Sequence, residues 1–367
     1  MKSSYITSLT PMRGIAAIWV MLFHIDVIIF YRDFGSLISH DGSGIISKGY
    51  LWVDFFFLLS GFVISHVYGA TLTDNFGKLK AIKSYLWARF TRIYPLHLFT
   101  LLLLIPLAVV FPIISPKVVD GSWQTFFAWS ALSDNVLLIN SMNQHTYLSW
   151  NILSWSIGAE WWAYVAACFV IPFVFQKSWI RSALVSIIGI SIMFGLVNLK
   201  GNLDITFDYG WARCLGEFSL GVVLYQIYQK SIGKSWLSNS IAFIISMVIV
   251  ILIFHFKWND LFIIPTFAIL LLATSFNNGI VKATLEHKLF KYLGDISYSI
   301  YLMHGVWFMA FWNLLPYLRS VYGIDKLDAS MKFIYVILFI GLTVVSSHYS
   351  YRYIEVKFRA FLGIKES

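Results

Sequence analysis

Arg13 and His24 stand eleven residues apart in the first apolar run of this 367-residue chain. Eleven residues make about three turns of α-helix, so both side chains fall on nearly one face, roughly 16 Å apart along the axis. The hydrocarbon core of a bilayer is roughly 30 Å thick, so an arginine at one boundary leaves the histidine near the middle. Ionisable groups at that depth are costly and mark a reaction site, an ion path or a paired cluster. Histidine changes charge near neutral pH and is the commonest general base. A plainer account has Arg13 snorkelling to the interface and His24 completing a hydrogen bond inside a bundle. Spacing alone leaves both open. Asp26, two residues beyond His24, points elsewhere on the helix.

A second constellation is Arg89-x-x-Arg92 in Ala88-Arg89-Phe90-Thr91-Arg92-Ile93-Tyr94-Pro95. Residues three apart share a helical face, so two guanidinium forks could grip phosphate oxygens. Anchoring at the cytoplasmic boundary explains the same pair. Pro95 would bend the start of the following span and fix the direction of both arginines. A third constellation runs from Ser154-Trp155-Ser156 through Gly158-Ala159-Glu160 to Tyr164. Glu160 is expected about one turn inside the outer end of the fourth span, with Tyr164 one turn further in. A carboxylate there could orient a histidine, contact a hydroxyl substrate, or pair with an arginine. Asp54 falls near the end of the second span, and Arg213 and Glu217, four apart, are expected to neutralise one another. His304 is either a second functional histidine or a packed polar group, while His97 and His348 read as packing or interface residues.

The elements that must hold these groups are membrane spans. Hydrophobic residues make up 59% of the chain and charged residues 12%, which is far from a soluble balance. Ten apolar stretches cover about 11–31, 50–69, 93–112, 156–176, 182–198, 212–229, 239–256, 260–276, 296–315 and 332–351. The net charge of +9 lies in the breaks between them, a topology signal and no argument for nucleic acid. With the N-terminus inside, eighteen Lys and Arg face the cytoplasm, from Lys2 and Arg13 through Lys177 to Lys365, and eight face out, Lys117 among them. Both termini are therefore expected in the cytoplasm. The first span follows few charges and no small-residue cleavage site, so it is expected to be retained. Cys168 and Cys214 both lie in apolar stretches, which implies neither a disulfide framework nor a metal site. The aromatic-rich break at 113–155 is expected to form an amphipathic or re-entrant segment on the outer face. No repeat and no separate soluble domain is evident, so residues 1–367 read as one integral membrane unit, all-α and polytopic.

Taken in order, these segments resemble the acyltransferase-3 family of integral membrane acyltransferases. The resemblance rests on Leu9-Thr10-Pro11-Met12-Arg13-Gly14 through His24, Val53-Asp54-Phe55-Phe56-Phe57-Leu58-Leu59-Ser60-Gly61-Phe62, and Arg89-x-x-Arg92-Ile93-Tyr94-Pro95. It continues in Trp155-Ser156-Ile157-Gly158-Ala159-Glu160, Gly294-Asp295-Ile296-Ser297-Tyr298-Ser299-Ile300-Tyr301-Leu302-Met303-His304, and Tyr351-Arg352-Tyr353-Ile354-Glu355. It covers almost the whole chain and implies transfer of an acyl group, often acetyl, onto carbohydrate hydroxyls at the bacterial inner membrane. On it, Arg13, Arg89 and Arg92 would hold the phosphates of acyl-CoA, a donor substrate, with no permanently bound cofactor. His24 would be the general base and Glu160 would orient the ring or the acceptor. Asp54, Trp155, Tyr164 and His304 are candidate substrate contacts. Ala163 departs from the family, which usually has an aromatic residue there, and the extracytoplasmic hydrolase-like domain of some members is absent, which implies a stand-alone enzyme. Direct transfer and a covalent acyl intermediate both remain open. The rival is a secondary transporter or flippase for a carbohydrate or lipid-linked intermediate, for which a buried histidine and carboxylates would serve proton coupling. Neither an inverted repeat nor a matched pair of broken helices supports it. A non-catalytic scaffold in polysaccharide assembly would leave His24 and Glu160 as costs without a purpose.

Overall fold

Among the described residues, ten helices overlie the ten apolar stretches, two of them with only 16 and 14 residues. In the computed structural model they are α1 (Leu9–Tyr31), α2 (Trp52–Asp74), α3 (Leu79–Ile114), α4 (Ser154–Phe175), α5 (Trp179–Lys200), α6 (Gly210–Gln229), α7 (Ser240–His255), α8 (Ile263–Phe276), α9 (Ser297–Tyr322) and α10 (Ala329–Ser350). The structure describes residues 6–116, 119–176 and 178–361, so Lys2, Lys117, Lys177 and Lys365 lie outside the described residues. Every described regular element is helical. Among the described residues, six helices are long and apolar enough to cross a membrane: Leu9–Tyr31, Gly49–Asp74, Leu79–Ile114, Ser154–Phe175, Trp179–Lys200 and Ala329–Phe361.

Two further helices, α6 and α9, have the length but not the hydropathy, and their position explains why. Fourteen of the 20 residues of α6 are buried against other helices, including Arg213, Glu217 and Gln226. A helix surrounded by protein satisfies polar side chains from its neighbours and need not match lipid. The reverse holds at the periphery. There α3, α5 and α10 turn Leu102, Ile113, Ile187, Phe194, Phe333 and Ile334 outward.

Small residues set the closest helix crossing. A Cβ on Gly61 of α2 would fall against the carbonyl of Phe218, and one on Gly221 of α6 against that of Leu58. The two backbones therefore approach until carbonyls meet glycines, which is how helices associate where no hydrophobic effect drives them together. Helix α3 starts fourteen residues before the apolar stretch at 93 and continues unbroken past Pro95. Arg89 and Arg92 thus sit inside a continuous helix, upstream of the proline. Hydropathy marks where the apolar stretch begins, whereas helix propensity carries the helix on through Lys80 and Lys83.

The 113–155 segment folds into short helices, Gly121–Phe126 and Leu132–Val136 among them. It closes one end of the bundle around a buried amide. Asn135 Oδ1 accepts from Asn140 Nδ2 (3.0 Å) and Ser154 Oγ (3.1 Å), while its Nδ2 donates to Ser149 Oγ (3.0 Å). His97, fully buried, is 2.8 Å from the Asn135 carbonyl, in the packing role expected of it.

Candidate active site

Helix α1 carries both members of the leading pair, and glycine brings it close to its neighbour. A Cβ on Gly14 would lie 2.7 Å from the backbone N of Gly294. The Arg13-Gly14 and Gly294-Asp295 segments therefore meet backbone to backbone, and α1 runs on from this crossing beside α9. Arg13 and His24 open onto different cavities.

The first cavity, about 870 Å³ counted to its mouth, is lined by Arg13, Arg89 and Arg92 together with Ser60, Glu160 and Tyr164. Arg89 donates through Nη2 to the Tyr68 hydroxyl at 2.8 Å, and its guanidinium lies 4.8 Å from the centre of that ring. Among the described residues its buried Nε–H finds no acceptor. A buried donor left open in a wall of arginines is suited to an anion. Arg92 is already engaged: it pairs with Glu355, whose other carboxylate oxygen accepts from Ser299 Oγ at 2.5 Å. Glu355 reaches that position from a wide π-helical turn, Tyr351–Val356, that follows α10. Glu160 Oε1 accepts from both Ser60 Oγ and Tyr164 Oη at 2.6 Å.

The second cavity, about 1050 Å³ counted to its mouth, is lined by His24, Asp26, His40, Trp155, Asp204 and Arg213, with aromatic rings around them. His24 Nδ1 lies 2.8 Å from the Val20 carbonyl. A carbonyl only accepts, so Nδ1 carries the proton and Nε2 keeps its lone pair. His304 repeats the arrangement, with Nδ1 2.9 Å from the Ile300 carbonyl, and its Nε2 stands 3.3 Å from His24 Nδ1. The second histidine thus offers an acceptor to the proton that fixes the first, and the two rings are 5.1 Å apart. The arrangement can take a proton from a hydroxyl at His24 Nε2 and stabilise the resulting imidazolium at its far nitrogen.

The predicted residues divide accordingly. Arg13, Arg89, Arg92, Glu160 and Tyr164 come together in one cavity, while His24 and Trp155 line the other with His304 buried behind them. The structure does not bring Glu160 into hydrogen-bond contact with His24. Asp54 is fully buried and occupied by Arg213, which donates to it from Nε at 2.6 Å and from Nη2 at 2.7 Å. Arg213 on α6 therefore neutralises Asp54 on α2, 159 residues away, where the spacing had suggested Glu217. Asp26 holds the loop after α1, accepting from Leu37 N and from His40 Nε2, each at 2.6 Å. Sequence reasoning assigned no role to Ser60, Tyr68, Tyr301 or Glu355. Three of these stood inside the quoted motifs, but nothing in one chain's spacing says which partner each meets.

The profile of the acyltransferase-domain family matches residues 6–352. Over 162 residues, 43% of this chain, it is 33% identical to the acyltransferase MdmB of Streptomyces mycarofaciens, covering 37% of that protein. Over 101 residues, 26% of this chain, it is 37% identical to protein 2 in the picA locus of Rhizobium radiobacter, covering 42% of it. Over 381 aligned positions it is 21% identical to a Staphylococcus aureus (strain COL) protein provisionally named as an O-acetyltransferase, covering 98% of this chain and 58% of that one. The chain thus spans less than two thirds of the length of these relatives. No solved structure matches it.

Proposed function

The chain belongs to the acyltransferase-3 family, and on that premise we propose that it is a membrane O-acyltransferase moving an acyl group, acetyl in the first instance, from acyl-CoA to a hydroxyl of a carbohydrate or exported glycan. The observation that carries this reading is the division of labour between the cavities. Three arginines line one, and a histidine with an open lone pair lines the other.

Acyl-CoA would enter the arginine-lined cavity, with Arg89 and Arg13 holding phosphate oxygens and Arg92, steadied by Glu355, completing the positive wall. Glu160 would order Ser60 and Tyr164 along that cavity as a positioning residue. The acceptor would enter from the other side, where Trp155 and neighbouring aromatic rings offer faces to a sugar. His24 Nε2 takes the hydroxyl proton as the oxygen bonds to the thioester carbon. The carbon–sulfur bond then breaks, and the CoA thiolate leaves with the proton returned from His24. His304 would hold the His24 ring through the step. Asp54 would serve by fixing Arg213 in the wall of the acceptor cavity.

In this reading all ten long helices cross the bacterial inner membrane as one unit over residues 1–367, with both termini and the donor cavity on the cytoplasmic side. The test is transfer from radiolabelled acetyl-CoA by membranes containing the wild type or His24→Ala, with surface glycan as acceptor. Label reaching glycan only with the wild type is expected. Normal labelling by His24→Ala at equal protein abundance would sink the mechanism. No labelling by either protein with acetyl or longer donors would favour a transporter.

A further inference from the structure

The two cavities share two lining residues, Val53 of α2 and Tyr301 of α9. Tyr301 Oη is 2.8 Å from Ser156 Oγ, a group on the arginine side, and Ser156 Oγ in turn lies 3.0 Å from the Leu153 carbonyl. The serine proton goes to that carbonyl, so the tyrosine donates and the serine accepts. The Tyr301 ring packs edge to face against Phe56, with centroids 5.9 Å apart, and against His304, with centroids 5.6 Å apart. His304 follows Tyr301 by three positions on α9, so the residue between the cavities and the partner of His24 share one helical face. A thioester on the arginine side and a hydroxyl on the His24 side can react only through this wall.

We propose that Tyr301, latched to Ser156 and packed beside Val53, is the partition between the donor and acceptor cavities, and that the acyl carbon meets the acceptor oxygen through the aperture it controls. Its catalytic meaning rests on the acyl-transfer reading, but the partition itself is a statement about access. With the latch closed, water in the acceptor cavity is kept from the thioester while no acceptor is present. Opening the wall lets water in: its oxygen bonds to the thioester carbon, the carbon–sulfur bond breaks, and free acid and CoA thiol leave.

The test places a cysteine at Ser60, in the donor cavity, and reads its labelling by a membrane-impermeant thiol reagent added to one side of oriented vesicles. Ser60→Cys is expected to react from the arginine side and to be protected from the His24 side. Tyr301→Ala should open the second route, and Tyr301→Phe, which keeps the ring and loses the latch, should raise labelling from the His24 side about tenfold, the effect of one hydrogen bond on a two-state population. Thr206→Cys, in the acceptor cavity, should react from the His24 side in every background, which verifies fold and reagent access. Ser60→Cys reacting equally from both sides with Tyr301 intact would overturn the partition. So would its protection from the His24 side in Tyr301→Ala while Thr206→Cys still reacts from that side and Ser60→Cys still reacts from the arginine side. The same Tyr301→Ala membranes should hydrolyse acetyl-CoA without acceptor faster than wild type. Raised labelling without raised hydrolysis would leave the partition standing and count against acyl transfer, so the two failures are distinguishable.

Discussion

His24 owes its tautomer to a backbone carbonyl and its far-side environment to His304, and the two supports are separable. His24→Ala removes the proposed base and should cost about 10²–10⁴ in transfer rate, the usual range for a positioned general base. His304→Ala leaves the Val20 carbonyl in place, so the tautomer persists and the loss should be smaller; initial rates at matched protein abundance measure both. The paired arginines should also part company. Arg89 holds no carboxylate among the described residues and has an open buried donor, so Arg89→Ala should raise KM for acyl-CoA with abundance unchanged. Arg92→Ala strands Glu355, which is 3% exposed, and breaking such a pair costs about 3 kcal/mol or more. Its first symptom should be reduced membrane abundance, read by quantitative immunoblot beside the donor KM. Equal behaviour of the two variants would mean that Arg92 holds donor rather than fold.

At the scale of elements, the α2–α6 crossing carries both the donor-cavity wall and the Asp54–Arg213 pair. Gly61→Val would push its side chain into the Phe218 backbone, and overpacking of this kind costs about 1–3 kcal/mol. A lower thermal midpoint in detergent is the expected result, and an unchanged midpoint would mean that the crossing is looser than its carbonyl contacts imply. A second element-scale device closes the His24 end. Arg32, just past α1, donates to Asp120 at 2.5 Å and to the Trp312 carbonyl at 3.0 Å, while Trp312 Nε1 donates to Ser122 Oγ at 2.9 Å. Burial disfavours the charged Asp120, but hydrogen bonds from Ser122 and Arg32 outweigh it and hold the carboxyl below its ordinary value of 3.8. A carboxyl held low contributes its stability above the ordinary value and loses it as pH falls through the folded value. Acidification from about pH 5 to below about pH 4 should therefore loosen the 119–136 segment, seen as faster amide exchange there. In Asp120→Asn that pH dependence should be absent.

For the whole molecule, the proposed assignment of donor and acceptor to separate cavities predicts vectorial chemistry. Acyl-CoA enclosed with the arginine-lined face of oriented vesicles should support transfer to acceptor on the opposite face, and acyl-CoA confined to the His24 face should not. Equal transfer from either placement would remove the two-sided reading even if the enzyme is active. The division also changes how Glu160 is understood. A carboxylate engaged by Ser60 and Tyr164 in the donor cavity acts on the histidine only through the architecture, so Glu160→Gln should disturb donor use before it disturbs the pH profile of transfer.

The amino-acid sequence determined the class of molecule: apolar runs of span length can be satisfied only as helices that close their own backbone hydrogen bonds. It also marked the residues that needed an explanation, since Arg13, His24, Glu160 and Arg213 interrupt those runs wherever the chain folds, while leaving chemistry and structural pairing both open. Ten stretches became ten helices because hydropathy is a local property. What was not local could not be read. Arg213 met Asp54, 159 residues away, rather than Glu217 one turn along, because a guanidinium fork takes the carboxylate that the α2–α6 crossing brings to it. The start of α3 was displaced because charge marks the edge of an apolar stretch and not the end of a helix. The pairing of His24 with His304, 280 residues apart, and the wall at Tyr301 that keeps Glu160 from His24, were decided only by tertiary structure. Contact between side chains depends on which helices cross and at which turn, and that is set by the packing of all of them at once.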